Sequence, residues 1–374
     1  MKKKILVIVY NISRAQEHEW FVRFIDRNLF DIEFALINRE NSPMHEFLKK
    51  ENVPIHVFGY SGKADLVKLI FQLYRLMHKR NYNIVHAHLF EATLAGMMAA
   101  FLARVPGRII TRHYSDFHHV YSPSAVKADR LINYLSTAIV AISENVRNIL
   151  IRKEHVNGDK IFLIHHGIDF NDYNTVAVSQ DRIEQLRSKY QLNNLSPVIG
   201  VISKFIEWKG IQYIIPAFEK LLRHYPGAVL ILANAHGPYK SEVTRLLNVI
   251  DKKNYRLIEF ENDVPALYKL FDCFVHVPVT PTIEAFGQVY IEALASKIPS
   301  VFTMSGIAPE FISDNINSYV VDYNDHDSIY NKMLFILNNR DSVQEITKNG
   351  YDTVSEKFDV RIKYQKLTEL YNRY

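Results

Sequence analysis

Short apolar runs separated by amphipathic stretches set the rhythm of the first half of the chain. Residues 5–9, 32–37, 55–58, 84–87, 108–111, 138–142 and 161–164 read as strands, several of them apolar without interruption. Strands buried on both faces look like this, as in a parallel sheet covered by helices. Helical patterns fill the gaps, as at 64–80 and 125–136, and the alternation predicts a doubly wound α/β domain. Beyond Asp169 the alternation gives way to polar sequence rich in Asn, Gln and Ser that runs to Ser196-Pro197, which places a linker at 173–196. The pattern restarts with 198–203, 229–233, 256–260, 273–277, 300–303 and 319–321, a second domain of the same kind over 197–355. The segment 355–374 reads as a helix with Phe358, Ile362, Leu367 and Leu370 on one face.

Composition agrees with two cores. A chain of 374 residues, 48% apolar and 23% charged, suits two globular domains and excludes disordered or fibrous classes. The single cysteine, Cys273, falls inside a predicted strand, so no disulfide framework is expected and a reducing, cytoplasmic setting fits. Met1-Lys2-Lys3-Lys4 before an apolar run imitates a signal peptide, but the run is six residues long and no small-residue cleavage site follows, so it reads as the first strand. The most apolar helical stretch, 92–105, is too short to span a membrane and is bounded by Glu91 and Arg104. A net charge of +5 suits phosphate ligands or an anionic membrane surface and argues little for nucleic acid, so no nucleic-acid partner is expected. The helix 64–80, with Lys68, Arg75, Lys79 and Arg80 among apolar residues, reads either as a surface helix covering the sheet or as a peripheral membrane contact.

The chemistry concentrates at 277–295. An apolar strand is broken by Pro278 and Pro281, and a helix is expected from about Gly287. Glu284 and Glu292 are eight residues apart; on one continuous helix they would stand about 12 Å apart along its axis, in no position to flank a single scissile bond. With the helix starting at Gly287, Glu284 lies on the loop before it and Glu292 on its second turn. The amides of Gly287, Gln288 and Val289, at the positive end of the helix dipole, then suit a phosphate. Lys204 and Lys209, five residues apart at a strand end, put two ammonium groups at the sheet edge where α/β folds bind ligands.

Glu284-Ala285-Phe286-Gly287 followed by Glu292-Ala293 resembles the Glu-x7-Glu signature of retaining nucleotide-sugar glycosyltransferases of family 4. The resemblance spans nearly the whole chain after the first loop. It implies the GT-B fold: two Rossmann-like doubly wound domains facing each other across a cleft, an acceptor domain at 1–172 and a donor domain at 197–355, with a C-terminal helix, 356–374, crossing back to the first. By the same resemblance Glu284 contacts the donor sugar, the backbone after Phe286-Gly287 holds sugar and phosphate, and Glu292 binds the ribose. Lys204 and Lys209 would meet the diphosphate, and His113, after the strand 108–111, would reach the sugar from the opposite lip. The catalytic set would be Glu284, His113 and Lys209. The implied reaction is a front-face transfer without metal or other cofactor, from a UDP-sugar to a glycan or lipid-linked acceptor in surface polysaccharide or glycolipid synthesis.

Three segments depart from the family pattern. Ser203-Lys204 stands where Gly-Arg is usual, losing the bidentate fork. His166 replaces Asn in the turn before Gly167-Ile168-Asp169, and the first loop carries Ser13 and Arg14 in place of two glycines. His86 and His88 share a strand face and could chelate, but with no carboxylate or cysteine beside them in sequence no metal is expected. Asp325-His326-Asp327 imitates a metal motif and reads better as a helix cap. Two other readings stay open: an epimerase or phosphorylase on the same twin domains, and a nucleotide-binding protein without activity.

Overall fold

The computed structural model describes residues 2–13, 16–38, 40–173 and 178–374. Contacts divide the chain into two units, Met1–His166 with Val360–Tyr374, and Gly167–Asp359. Both are Rossmann-like parallel sheets with helical crossovers.

The first unit holds β1 (Lys3–Tyr10), β2 (Phe30–Ile37), β3 (Ile55–Phe58), β4 (Ile84–His88), β5 (Gly107–Arg112), β6 (Ala138–Ala141) and β7 (Ile161–Leu163) in the order β3-β2-β1-β4-β5-β6-β7. Ile5 to Val9 are each at most 1% exposed, the double-sided burial that their unbroken apolar run implies. The strand order reverses between β1 and β4, a switch point where such sheets open a crevice at their carboxyl edge.

The second unit repeats the plan with β8 (Val198–Ile202), β9 (Val229–Ala233), β10 (Tyr255–Ile258), β11 (Cys273–His276), β12 (Ser300–Phe302) and β13 (Tyr319–Val320), ordered β10-β9-β8-β11-β12-β13. Its switch point lies between β8 and β11. A Cβ at Gly200 of β8 would stand 2.2 Å from the Phe271 ring, so only glycine lets that ring pack on the strand. Cys273 is fully buried and its thiol is pushed upward by burial, an inert core residue.

Two segments differ from their sequence reading. The stretch 173–196 contains a helix, Gln180–Lys189, within the second unit. Its polar composition reflects docking by charge. Arg182 Nε donates to Asp263 Oδ2 at 2.7 Å, Lys189 Nζ donates to Glu261 Oε2 at 2.7 Å, and Arg256 donates to the carbonyls of Tyr190 and Gln191 at 2.7 and 2.9 Å. The terminal helix begins only at Val360, because the preceding helix, Arg340–Lys357, ends at Phe358. Phe358 packs its ring against Phe286 and Phe311 in the second unit, while Val360, Tyr364, Leu367 and Leu370 are buried in the first.

Candidate active site

In the second unit the loops after β8 and β11 meet at the switch point. Gly210 has φ +79, and a Cβ there would fall 1.9 Å from the Val277 carbonyl oxygen, so the chain after Lys209 lies directly against the end of β11. The Val279 N–H donates to the Trp208 carbonyl at 3.0 Å, tying the two loops together. This brings Lys209 Nζ to 2.5 Å from Glu284 Oε2 and over the Trp208 ring. Lys204, earlier on the loop after β8, is exposed.

The helix after the loop is Gln288–Ala295, with Gly287 as its N-cap at φ +83. A Cβ on Gly287 would press the Tyr290 ring at 2.6 Å and Glu284 Cγ at 3.2 Å. Gly306, at φ +63, closes the other side: its Cβ would lie 2.9 Å from Glu284 Cγ and 2.7 Å from the Phe286 carbonyl. Glycines thus shape the slot for the Glu284 stem. The Phe286 ring is buried against Phe358, so its side chain anchors the loop, and its carbonyl accepts from the Ile307 N–H at 3.0 Å. Gln288 and Val289 form the first turn and are half-buried, where a helix leaves its amides without acceptors of its own.

The two glutamates are held in opposite electrostatic states. Burial pushes the Glu284 carboxyl upward, but the Lys209 charge and His276 outweigh it and hold it at about 2. Glu292 has no cation in that role: burial raises it, against hydrogen bonds from Tyr268, Gln288 and Tyr173. Tyr268 OH donates to Oε2 at 3.0 Å and Gln288 Nε2 to Oε1 at 3.1 Å. His276, Tyr268, Tyr173 and Gly306 were missed in the sequence. His276 alone left a signal, an imidazole at the end of an otherwise apolar strand.

In the first unit His113 follows β5, its Nε2 3.1 Å from His88 Nδ1 and its ring stacked on His166 at 5.4 Å. Burial holds the His113 imidazole below its ordinary value. Glu17, from the helix Gln16–Phe24, joins them. The sequence reading had no carboxylate for these histidines, because Glu17 arrives from a helix almost seventy residues before His86. Glu17, His113 and His166 present ligand-type atoms within 4.8 Å of one another. An ammonium already serves them: Lys363 Nζ donates to Glu17 Oε1 at 2.7 Å and lies 3.0 Å from His166 Nδ1. Burial works against the Glu17 charge, and the neighbouring His166 and Lys363 overcome it to hold the carboxyl well below its ordinary value. His86 shares hydrogen bonds with Thr111 Oγ1 at 2.8 Å and Tyr371 OH at 2.5 Å. Ser13 is exposed, its carbonyl accepting from the Met44 N–H at 2.9 Å, and Arg14 lies outside the described residues. Asp325 caps the helix His326–Asn338 through the amides of Asp327 and Ser328.

Twin Rossmann-like sheets, with a lysine–glutamate pair and a glycine-started helix at one switch point, give the architecture of the GT-B glycosyltransferases. The description "Glycosyltransferase Family 4" matches residues 26–172 and "Glycosyl transferases group 1" matches 182–353. The chain belongs to glycosyltransferase family 4. It is 24% identical over 360 residues to the capsular polysaccharide biosynthesis glycosyltransferase CapM of Staphylococcus aureus, covering 88% of this chain and 92% of that one. It is 21% identical to the Escherichia coli UDP-Gal:alpha-D-GlcNAc-diphosphoundecaprenol alpha-1,3-galactosyltransferase, covering 98% and 95%. The crystal structure of Anabaena Alr3699/HepE in complex with UDP and glucose shares the fold, with a TM-score of 0.85 at 21% identity over the whole of both chains.

Proposed function

We propose that this enzyme transfers a sugar, with retention of configuration and without metal, from a UDP-sugar to a glycan or lipid-linked acceptor in surface polysaccharide or glycolipid synthesis. The observation that carries the reading is the Lys209–Glu284 pair beside the Gly287 N-cap at the switch point of the second sheet. The names of relatives that act in capsule synthesis and on a diphosphoundecaprenol-linked sugar support the acceptor class.

In this mechanism Lys204, Lys209 and the amides of Gly287 to Val289 stabilise the charge that grows on the departing diphosphate. Glu284, kept ionised, accepts hydrogen bonds from sugar hydroxyls, and Glu292 meets the ribose. The bond from the anomeric carbon to the phosphate oxygen breaks. The acceptor oxygen bonds to that carbon on the same face and gives its proton to the leaving phosphate. His113, neutral in its buried cluster, contributes a polar contact to the sugar, and the first unit, with Ser13 and Arg14, takes the acceptor.

Among the described residues no helix is long and apolar enough to cross a membrane. The helix Leu66–Arg80 instead leaves Val67 77% and Phe71 57% exposed among Lys68, Arg75 and Lys79. Exposed apolar groups among cations suit an anionic lipid surface, which would bring a lipid-linked acceptor to the enzyme at the inner face of the membrane.

Thermal unfolding with UDP, GDP, ADP and their sugars, with and without EDTA, tests the donor site in the unaltered protein and in Glu292→Ala. A ligand at 100 times its dissociation constant stabilises by about 2.7 kcal/mol. A rise with UDP that survives EDTA and is lost in Glu292→Ala is expected, and NMR of the product should show the donor's anomeric configuration preserved. An inverted product, or a rise that needs metal, refutes the reading.

A further inference from the structure

We propose that His276 is a positioning residue for Glu284, taking over its carboxylate when the donor diphosphate draws Lys209 away. The inference rests on the donor-site reading above. His276 ends β11, is 1% exposed, and meets the Tyr290 ring edge-on at 4.7 Å. Its Nε2 lies 3.5 Å from Glu284 Oε2, the same oxygen that Lys209 Nζ holds at 2.5 Å. Two donors therefore converge on one acceptor, and the lysine is the nearer.

Among the described residues His276 Nε2 makes no hydrogen bond of normal geometry. A buried ring nitrogen is costly to leave so, and 3.5 Å from it lies the Glu284 oxygen now engaged by Lys209. A diphosphate with two or more negative charges competes for Lys209, whose ammonium moves on a flexible stem. When it turns, Oε2 is left to His276 Nε2, and a small shift of the carboxylate closes the 3.5 Å separation to a hydrogen bond. Glu284 then stays ionised and aimed at the sugar without its lysine. Lys209, Glu284 and Tyr290 are the titratable groups around the imidazole. Burial keeps it neutral, so it supplies a hydrogen bond and not a charge that would compete with Lys209 for the phosphate.

His276→Leu and His276→Gln, assayed with UDP-glucose or whichever UDP-sugar the donor panel selects, separate positioning from packing. In His276→Leu, kcat should fall about tenfold or more while the affinity for UDP alone is kept, and the acidic limb of the kcat profile should move to higher pH. His276→Gln restores an N–H donor and should recover most of kcat and the original acidic limb. Equal losses in both variants, or an unmoved acidic limb in His276→Leu, overturn the proposal. The unaltered protein gives a test free of folding defects: 15N-histidine NMR should show the His276 Nε2–H proton shift downfield when the UDP-sugar saturates, and an unmoved resonance overturns the proposal. Failure of UDP to bind the unaltered protein would remove the donor site itself, and the inference with it.

Discussion

Replacing Lys209 with methionine keeps an unbranched side chain one atom shorter and removes the ammonium, both its charge and its hydrogen bond to Glu284. In the native protein the Glu284 carboxyl is held at about 2 against an ordinary value of 4.5, despite burial that favours the neutral form. That depression corresponds to about 3 kcal/mol of stability at neutral pH. Both side chains are largely buried, at 16% and 10% exposure, so solvent screening removes little of it. The folded value lies below the unfolded one, so the contribution is fully present above about pH 4.5 and is lost as the pH falls toward 2. In Lys209→Met only His276 is left to oppose burial, so the carboxyl rises from its native value and the variant gains relative stability on acidification. Urea unfolding followed by tryptophan fluorescence should show the variant about 3 kcal/mol less stable at pH 7.5, with a narrower gap at pH 4.5. A gap below about 0.5 kcal/mol at pH 7.5, the range of an ordinary surface substitution, or one that does not change with pH, would refute the coupling.

Gly210→Ala should cost about 2 kcal/mol or more in the same assay, since it combines a positive φ with a clash against the Val277 carbonyl. For Glu292→Gln the sign is opposite to Lys209→Met. A carboxyl raised by burial disfavours the folded state above its folded value, so the variant should be at least as stable as the parent at pH 7.5, with the difference vanishing below about pH 4.5, while UDP affinity falls about tenfold. Lys363→Met leaves Glu17 buried without its ammonium; a loss of about 3 kcal/mol is expected, with limited proteolysis cutting first near the helix Val360–Tyr371.

Much of this was legible in the chain because the physics involved was local. Residues 5–9 and 229–233 are unbroken apolar runs and could only be strands buried on both faces. Gly287 announced the start of its helix, and with it the placement of Glu284 on the loop before and of Glu292 on the second turn. What was not legible depends on partners far along the chain. Glu17 and Lys363 are 346 residues apart, and neither has a sequence neighbour that hints at the other. The helix Gln180–Lys189 was hidden because a docked surface held by arginines and lysines has the same composition as a solvated linker. His276 was hidden because its role depends on the distance to one oxygen of a loop that folds back over the strand.

The helix Val360–Tyr371 belongs to the first unit although all of Gly167–Asp359 lies between them in sequence. During synthesis the first sheet is therefore laid down early but stays unfinished, with His86 waiting for Tyr371 and Glu17 for Lys363, until the entire second unit has left the ribosome. Until then a carboxylate and several histidines face water or a chaperone instead of a core. A premature stop between Asp359 and Lys363 would remove both Lys363 and Tyr371, so damage after the second unit would be felt in the sheet made first.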